Sequence, residues 1–384
     1  MTALGFVRAG LRRLPVLMLP LLAAGLWAAC LWGTSAAAAP ITLTDIAGRS
    51  VTLPGPARRI VLAEGRQIFA LALLLPDPVA PLAGWSADLK RRDVPNYARV
   101  KAKFPAVEQV PVVGEESDAS FSVEKALSVD PDLVILSGRL GAGRPEEVVK
   151  PFTAAGVPVI FVDFYAHPFQ NTVPSMRILG RALGREAQAE AYVAFYAAHM
   201  ARIAARLDTP GLARPKVLME AHAGAFGECC NAPGRGSVGD FIDFAGGQNI
   251  AAEVLTGTHG HLSLEYVMSA DPAVYVATGG THLIGTGGLV LGPGIPEAQA
   301  RAALAGLTAR TGIAQLAAVR EGRVHGLYHN LINMPTNVLV AEVLAKWIHP
   351  ELFADLDPRA TLDEMNARFL AVPLEGSYWI SLTP

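Results

Sequence analysis

Residues 122–138 read SVEKALSVDPDLVILSG, and residues 263–279 read SLEYVMSADPAVYVATG. At a constant offset of 141 the pairs Ser122/Ser263, Glu124/Glu265, Ser128/Ser269, Asp130/Asp271, Pro131/Pro272 and Gly138/Gly279 are identical, and most other pairs exchange like for like. An ungapped internal repeat of this length marks a duplicated structural unit. Each copy has the same physical grammar. A serine caps a helix, a glutamate follows in the first turn where the helix dipole favours a carboxylate, a short apolar stretch continues the helix, and Asp-Pro stops it. An apolar run of strand length then begins, so the unit is helix, turn, buried strand.

The same alternation extends outward. Short apolar strands open each half at residues 59–63 (RIVLA) and 216–220 (KVLME), and helix-then-strand blocks close them at 146–163 and 313–328. Strands alternating with helices imply parallel sheets covered on both faces. Between the halves, residues 171–207 are rich in Ala, Arg and Glu, carry Tyr192, Phe195, Tyr196 and His199 at helical spacing, and have no proline after Pro174. This stretch reads as one long helix, or two in tandem, forming a rigid strut. The expected fold class is α/β: two three-layer lobes with central, mainly parallel sheets joined by a long helical strut. The lobes are expected over 40–170 and 209–384, with the linker at 171–208.

Residues 1–39 have the form of an export signal. Arg8, Arg12 and Arg13 lead into an apolar stretch over 14–32, followed by a small-residue run to Ala39. Cleavage is expected near 37–39, into the periplasm. Trp27 stands where a lipoprotein signal has leucine, so lipid attachment at Cys30 is not expected. Loss of the leader's three arginines takes the formal net charge from −2 to about −5, which excludes a nucleic-acid partner. Only Cys229 and Cys230 would remain. Adjacent in an oxidising compartment, they read as a vicinal disulfide or two loop thiols rather than a soft-metal site, for which cysteine pairs are usually spaced by two residues.

In open parallel sheets ligands bind beyond the carboxyl ends of the strands, so two such lobes facing each other create a cleft lined by strand-end loops. Those loops supply Glu64, Arg66, Arg139, Arg144, Tyr165 and His167 from the first half. The second half supplies His222, Arg235, His282, Tyr328, His329 and Asn330. Guanidinium groups bind carboxylates and phenolates through paired hydrogen bonds, and His or Tyr can complete an unsaturated iron shell. The set therefore suits a ligand with anionic or metal-chelating oxygens. His259 and His261 form an HxH pair, but they precede the Ser263 cap instead of ending a strand and are not expected to ligate a metal. Glu124 and Glu265 begin equivalent helices. In a right-handed βαβ unit both stand near the cleft rim, one per lobe, placed for two matching basic sites of a dimeric partner.

At these residues the chain resembles the helical-backbone class, class III, of periplasmic solute-binding proteins of ABC importers, which serves iron-siderophores, haem and cobalamin. The likeness runs from DIAGRSVTLPGPARRIV at Asp45 through both helix-strand blocks to GSVGDFIDFAGGQNIA at Gly236. The tail from Tyr328, YHNLINMPTNVLVAEVLAKWIHPELFADLDP, resembles a subgroup of iron-complex binders that also includes molybdate and tungstate binders. The resemblance implies a binding protein, not an enzyme, with no intrinsic cofactor, acting as a monomer. It would capture a ferric siderophore or other metal complex and pass it to a permease dimer with its ATPase subunits. It also implies that Glu124 and Glu265 meet permease arginines. Haem is disfavoured because GEESDASFS, from Gly114, lacks the tyrosine that haem-binding members carry there. Absence of a Walker loop, HExxH, GxSxG or CxxC agrees with a non-enzyme.

Overall fold

The computed structural model describes residues 39–115, 120–138, 145–225 and 229–383. Apart from Ala39, the leader expected over residues 1–39 lies outside them, as do Arg139 and Arg144. Fourteen strands are described. In chain order they are β1 (Ile41–Thr44), β2 (Ser50–Leu53), β3 (Ile60–Leu62), β4 (Leu82–Ser86), β5 (Val112–Gly114), β6 (Leu133–Ser137) and β7 (Val159–Val162). Then come β8 (Lys216–Glu220), β9 (Asn231–Pro233), β10 (Gln248–Asn249), β11 (His259–His261), β12 (Val274–Gly279), β13 (Val324–Tyr328) and β14 (Trp379–Ser381). They form two separate five-stranded sheets, β5-β4-β3-β6-β7 and β10-β8-β12-β13-β14, together with the two-stranded ribbons β1-β2 and β9-β11. The first sheet is wholly parallel; in the second only β14 runs antiparallel.

The repeat sits at equivalent places in the two sheets, since β3-β6-β7 and β8-β12-β13 have the same order. Helices α1 (Val94–Lys103) and α2 (Val123–Ser128) belong to the first lobe. The Ser122 hydroxyl caps α2 by accepting the Lys125 N–H, and Ser263 likewise accepts the Tyr266 N–H, both at 3.2 Å. Asp130 and Asp271 both adopt left-handed backbone, at φ +50° and +43°, which ends each helix before its proline. Alternation along the strands then divides the first sheet's side chains. Ile60, Leu62 and Ile135 pack on one face, and Val61, Val134 and Phe161 on the other, all buried.

The connector differs from a straight strut. It is a helical hairpin of α3 (Pro168–Leu183) and α4 (Glu186–Leu207), reversed at Gly184, whose φ of +61° suits glycine. Arg177 donates to Glu190 across the hairpin. Sequence periodicity continues through Gly-Arg, so nothing in the pattern of apolar residues signals the reversal. Helix α4, about 33 Å long at 1.5 Å per residue, is pinned to the second lobe. The Tyr192 hydroxyl donates to the Pro335 carbonyl at 2.7 Å, and Arg202 and His199 both reach buried Glu342 at 2.7 Å. Among the described residues no helix is long and apolar enough to cross a membrane.

Behind the second lobe's strand ends lies a buried charge. Arg310 donates to both oxygens of Glu220, at 2.9 and 2.6 Å, and the Tyr275 hydroxyl donates to Glu220 Oε2 at 2.5 Å. Glu220, 2% exposed, closes β8 two residues before His222, so this network anchors the strand end. Arg310→Leu leaves that carboxylate uncompensated, and chemical denaturation should show a loss of about 3–5 kcal/mol. The paired change Glu220→Met with Arg310→Leu should recover most of it.

Candidate functional site

Strand ends of both sheets face one cavity of about 380 Å³. From the first lobe come Arg66 after β3, Asp88, Arg92 and Asp93 after β4, and Tyr165 after β7. From the second come His222 after β8, His259 on β11, His282 after β12, and His329 and Asn330 after β13. Leu89, Asn333 and Met334 complete the wall. Six of the residues expected from the sequence thus meet here: Arg66, Tyr165, His222, His282, His329 and Asn330. Glu64 lines an adjoining recess with Arg66 and Asn333, and its carboxylate accepts from Arg66 Nε at 3.2 Å.

Other expected residues are placed differently. Tyr328 lies beneath the cavity, fully buried, because β13 carries it into the core before the chain turns outward at His329. His167 is exposed and outside the cavity. The Asp163 carboxylate gathers the backbone N–H groups of Tyr165, Ala166 and His167, curling the loop so that Tyr165 lines the cleft while His167 heads α3. Arg235 is also exposed and outside, since the long loop after β8 folds into the β9-β11 ribbon and leaves Arg235 beyond it. That ribbon brings His259, which does not follow a strand of either main sheet, into the cleft. Its Nε2 stands 3.4 Å from the Tyr165 hydroxyl of the opposite lobe. The signal was the strand alternation of HGH, which only the pairing with β9 makes meaningful.

The imidazoles are tightly organised. His222 Nδ1 and His282 Nε2 are 2.9 Å apart, and the His222 and His329 ring centroids are 4.0 Å apart. His222 holds a left-handed backbone at φ +51°, unusual for a non-glycine residue and a frequent mark of functional sites. Its N–H donates to Thr278 Oγ1 at 3.1 Å, and the same hydroxyl lies 2.9 Å from His329 Nδ1.

Burial holds His222 down to about 4, assisted by His282, His259 and Arg92. Burial likewise lowers His282 and takes His329 well below the usual range. Opposite them, burial raises Asp88 to about 6 against the pull of Arg66. At neutral pH His222, His282 and His329 are thus uncharged imidazoles, sharing the cavity with the guanidinium groups of Arg66 and Arg92. The titration has a stability consequence, shared by His325, which burial depresses to about 3 away from the cleft. Both rings protonate near 6.5 in the unfolded chain and only near 4 and 3 when folded. Their contribution is full above pH 6.5 and is lost as pH falls through that window. The melting temperature should decline steadily from pH 7 to pH 4, by an amount worth a few kcal/mol; a flat profile would contradict the assigned burial.

Among the described residues, one group of three potential metal ligands has all its donor atoms within 4.8 Å of one another: Glu220, Cys229 and Cys230. The two sulfurs are joined as a vicinal disulfide, and the carboxylate is held by Arg310 and Tyr275, so this group is already occupied with itself.

The periplasmic binding protein pattern matches residues 71–330. The fold is similar to that of the TroA-like periplasmic binding protein FepB from Veillonella parvula, at 27% identity and TM-score 0.83, covering 90% of this chain and all of that one. It is also similar to molybdate-bound MolA from Haemophilus influenzae, at 19% identity and TM-score 0.66, covering 88% and 99%. A cobalamin-binding protein of Halobacterium salinarum is 27% identical over 243 residues, 63% of this chain and 59% of that protein. The match therefore spans less than two thirds of that relative's length. With a family pattern covering most of the chain and two parallel-sheet lobes converging on a polar cleft, this chain belongs to the periplasmic binding protein family.

Proposed function

We propose that the chain is exported to the periplasm and serves as the substrate-binding component of an ABC importer. Its cleft captures a metal complex and passes it to a permease through Glu124 and Glu265. The observation that carries the ligand class is the His222–His282 pair. Two nitrogens each about 2.0–2.1 Å from one ion, at a right angle, are about 2.9 Å apart, which is the separation found here. An entering ion can therefore replace the shared proton through rotation of the rings. Imidazole suits iron, nickel, copper and zinc, so the iron complex expected from the tail is the first candidate. Arg66 and Arg92 meet anionic oxygens of its chelator. The cavity lies near the lower end of the roughly 300–1,000 Å³ usual for small-ligand sites, which favours a compact complex.

A ligand-stabilisation screen tests the reading, since tight binding raises the melting temperature by mass action. Ferric hydroxamate and catecholate complexes, small divalent-metal chelates, haem, cobalamin and molybdate would be compared. A compact metal complex should stabilise the protein by several degrees and bring visible absorption with it. Stabilisation by molybdate alone would overturn the proposal.

A further inference from the structure

The two lobes are joined very differently on the two sides of the cleft. On one side the chain after β4 meets the segments around β13 and β14. The Asp93 carboxylate, buried just before α1, accepts from the Tyr328 hydroxyl at 2.5 Å and from Asn330 Nδ2 at 3.1 Å, both of the second lobe. Further along α1, the Arg99 guanidinium donates to the carbonyls of Pro373 and Glu375, the latter at 3.0 Å. Its pair with the exposed Glu375 carboxylate, at 3.3 Å, adds little. The Ala371 N–H also donates to the Ala72 carbonyl of the first lobe at 2.8 Å. Residues 371–375 are therefore a strap of the second lobe fastened to the first. The strap is itself stiff, because the Asn366 side chain exchanges two hydrogen bonds with the Leu374 backbone, at 2.8 and 2.7 Å. Just before it, Phe369 packs on Tyr192 and Phe195 of α4, with ring centroids 5.5 and 5.2 Å away.

On the other side the loop after β7 meets the β9-β11 ribbon. The hydroxyl of half-buried Tyr165 stands 3.4 Å from Nε2 of exposed His259, at the long limit of a hydrogen bond. Behind them Phe169 of α3 packs on Phe241 and Phe244, with both ring centroids 4.7 Å away. That contact is apolar and non-directional, so the rings can slide as the lobes turn. We propose that the cleft opens on this side alone. The strap and the α3–α4 hairpin form the fixed joint, and Tyr165 and His259 form the gate past which a ligand enters and leaves. The reason is the unequal cost of parting. Opening the strap side removes several charge-assisted bonds at once and leaves the buried Asp93 carboxylate short of donors. Opening the gate side gives up a long, exposed contact that water can replace. This geometry goes beyond the metal-complex reading and is the same whichever ligand the cleft takes.

The test is pulsed electron-spin distance measurement on the ligand-free protein, with one label pair per side. Lys103 and Asp363 report on the strap side, and Lys150 and Thr256 on the gate side; all four are exposed. The strap pair should give a single narrow distance, and the gate pair a second, longer population. Tyr165→Phe should raise that longer population about fivefold, as loss of one hydrogen bond predicts, with the strap distance unmoved. Arg99→Met should broaden the strap distance; should that variant fail to fold, Tyr165→Phe still decides. A second, longer population at the strap pair of the wild type, or equal responses of both pairs to Tyr165→Phe, would overturn the proposal. Two narrow distances that Tyr165→Phe leaves unchanged would overturn it as well. None of these outcomes touches the ligand class, which the stabilisation screen reads.

Discussion

Replacing His222 by glycine together with His282 by alanine is expected to weaken binding of the metal complex by a hundredfold or more while the protein remains folded. The magnitude follows from removing both nitrogens placed to share an ion, when loss even of groups that merely support a metal ligand costs roughly 10–100-fold. Glycine is the appropriate replacement at 222 because the residue sits at φ +51°, where any side chain with a Cβ is strained. Gly280 already matters to the same site, since a Cβ there would lie 3.0 Å from His282 Nδ1. Titration of the variant and wild type with whichever complex the stabilisation screen identifies would read the affinity, and thermal melting would confirm the fold. Undiminished affinity in a folded double variant would remove the imidazole pair from the ligand contacts.

Reversing charge at Glu124 and Glu265 together, each to arginine, is expected to stop uptake in cells while leaving the purified protein's affinity unchanged. Both side chains are exposed in the first turns of α2 and of its repeat counterpart at Leu264–Ala270, with no role in the cavity wall. Reversal also places a cation at each helix amino terminus, a small local cost of about 0.3–1 kcal/mol that thermal melting can measure. Uptake of the labelled complex is the decisive reading. Transport surviving the double reversal would refute the docking role, and a parallel fall in affinity would place the glutamates in ligand binding instead.

Much of the architecture was readable in the repeat because its signals are local. Ser122 and Ser263 cap helices through bonds to residues three positions away, and Asp130 and Asp271 stop them with their own backbone angles. Burial of every residue in β6 and β12 likewise follows from their place inside parallel sheets covered on both faces. The hairpin at Gly184 escaped the reading because α3 and α4 are both helical, and only their packing shows where the chain reverses.

The candidate site divides along the same line. Arg66, Tyr165, His222, His282, His329 and Asn330 could be named from the sequence because a parallel strand's carboxyl end has a fixed place in its sheet. His259 could not, since it reaches the cleft only through a ribbon pairing between β9 and β11, in which Gly260 lies opposite Ala232, 28 residues earlier. Asp93 was equally invisible: its partners Tyr328 and Asn330 lie more than 230 residues away, and which of its oxygens they occupy is a matter of side-chain contact. Sequence alone determined the duplicated α/β units and the ends from which ligand groups project, since propensity, capping and alternation act over a few residues. Tertiary structure alone decided which groups meet and which are neutral, because burial and distance arise only when remote segments pack.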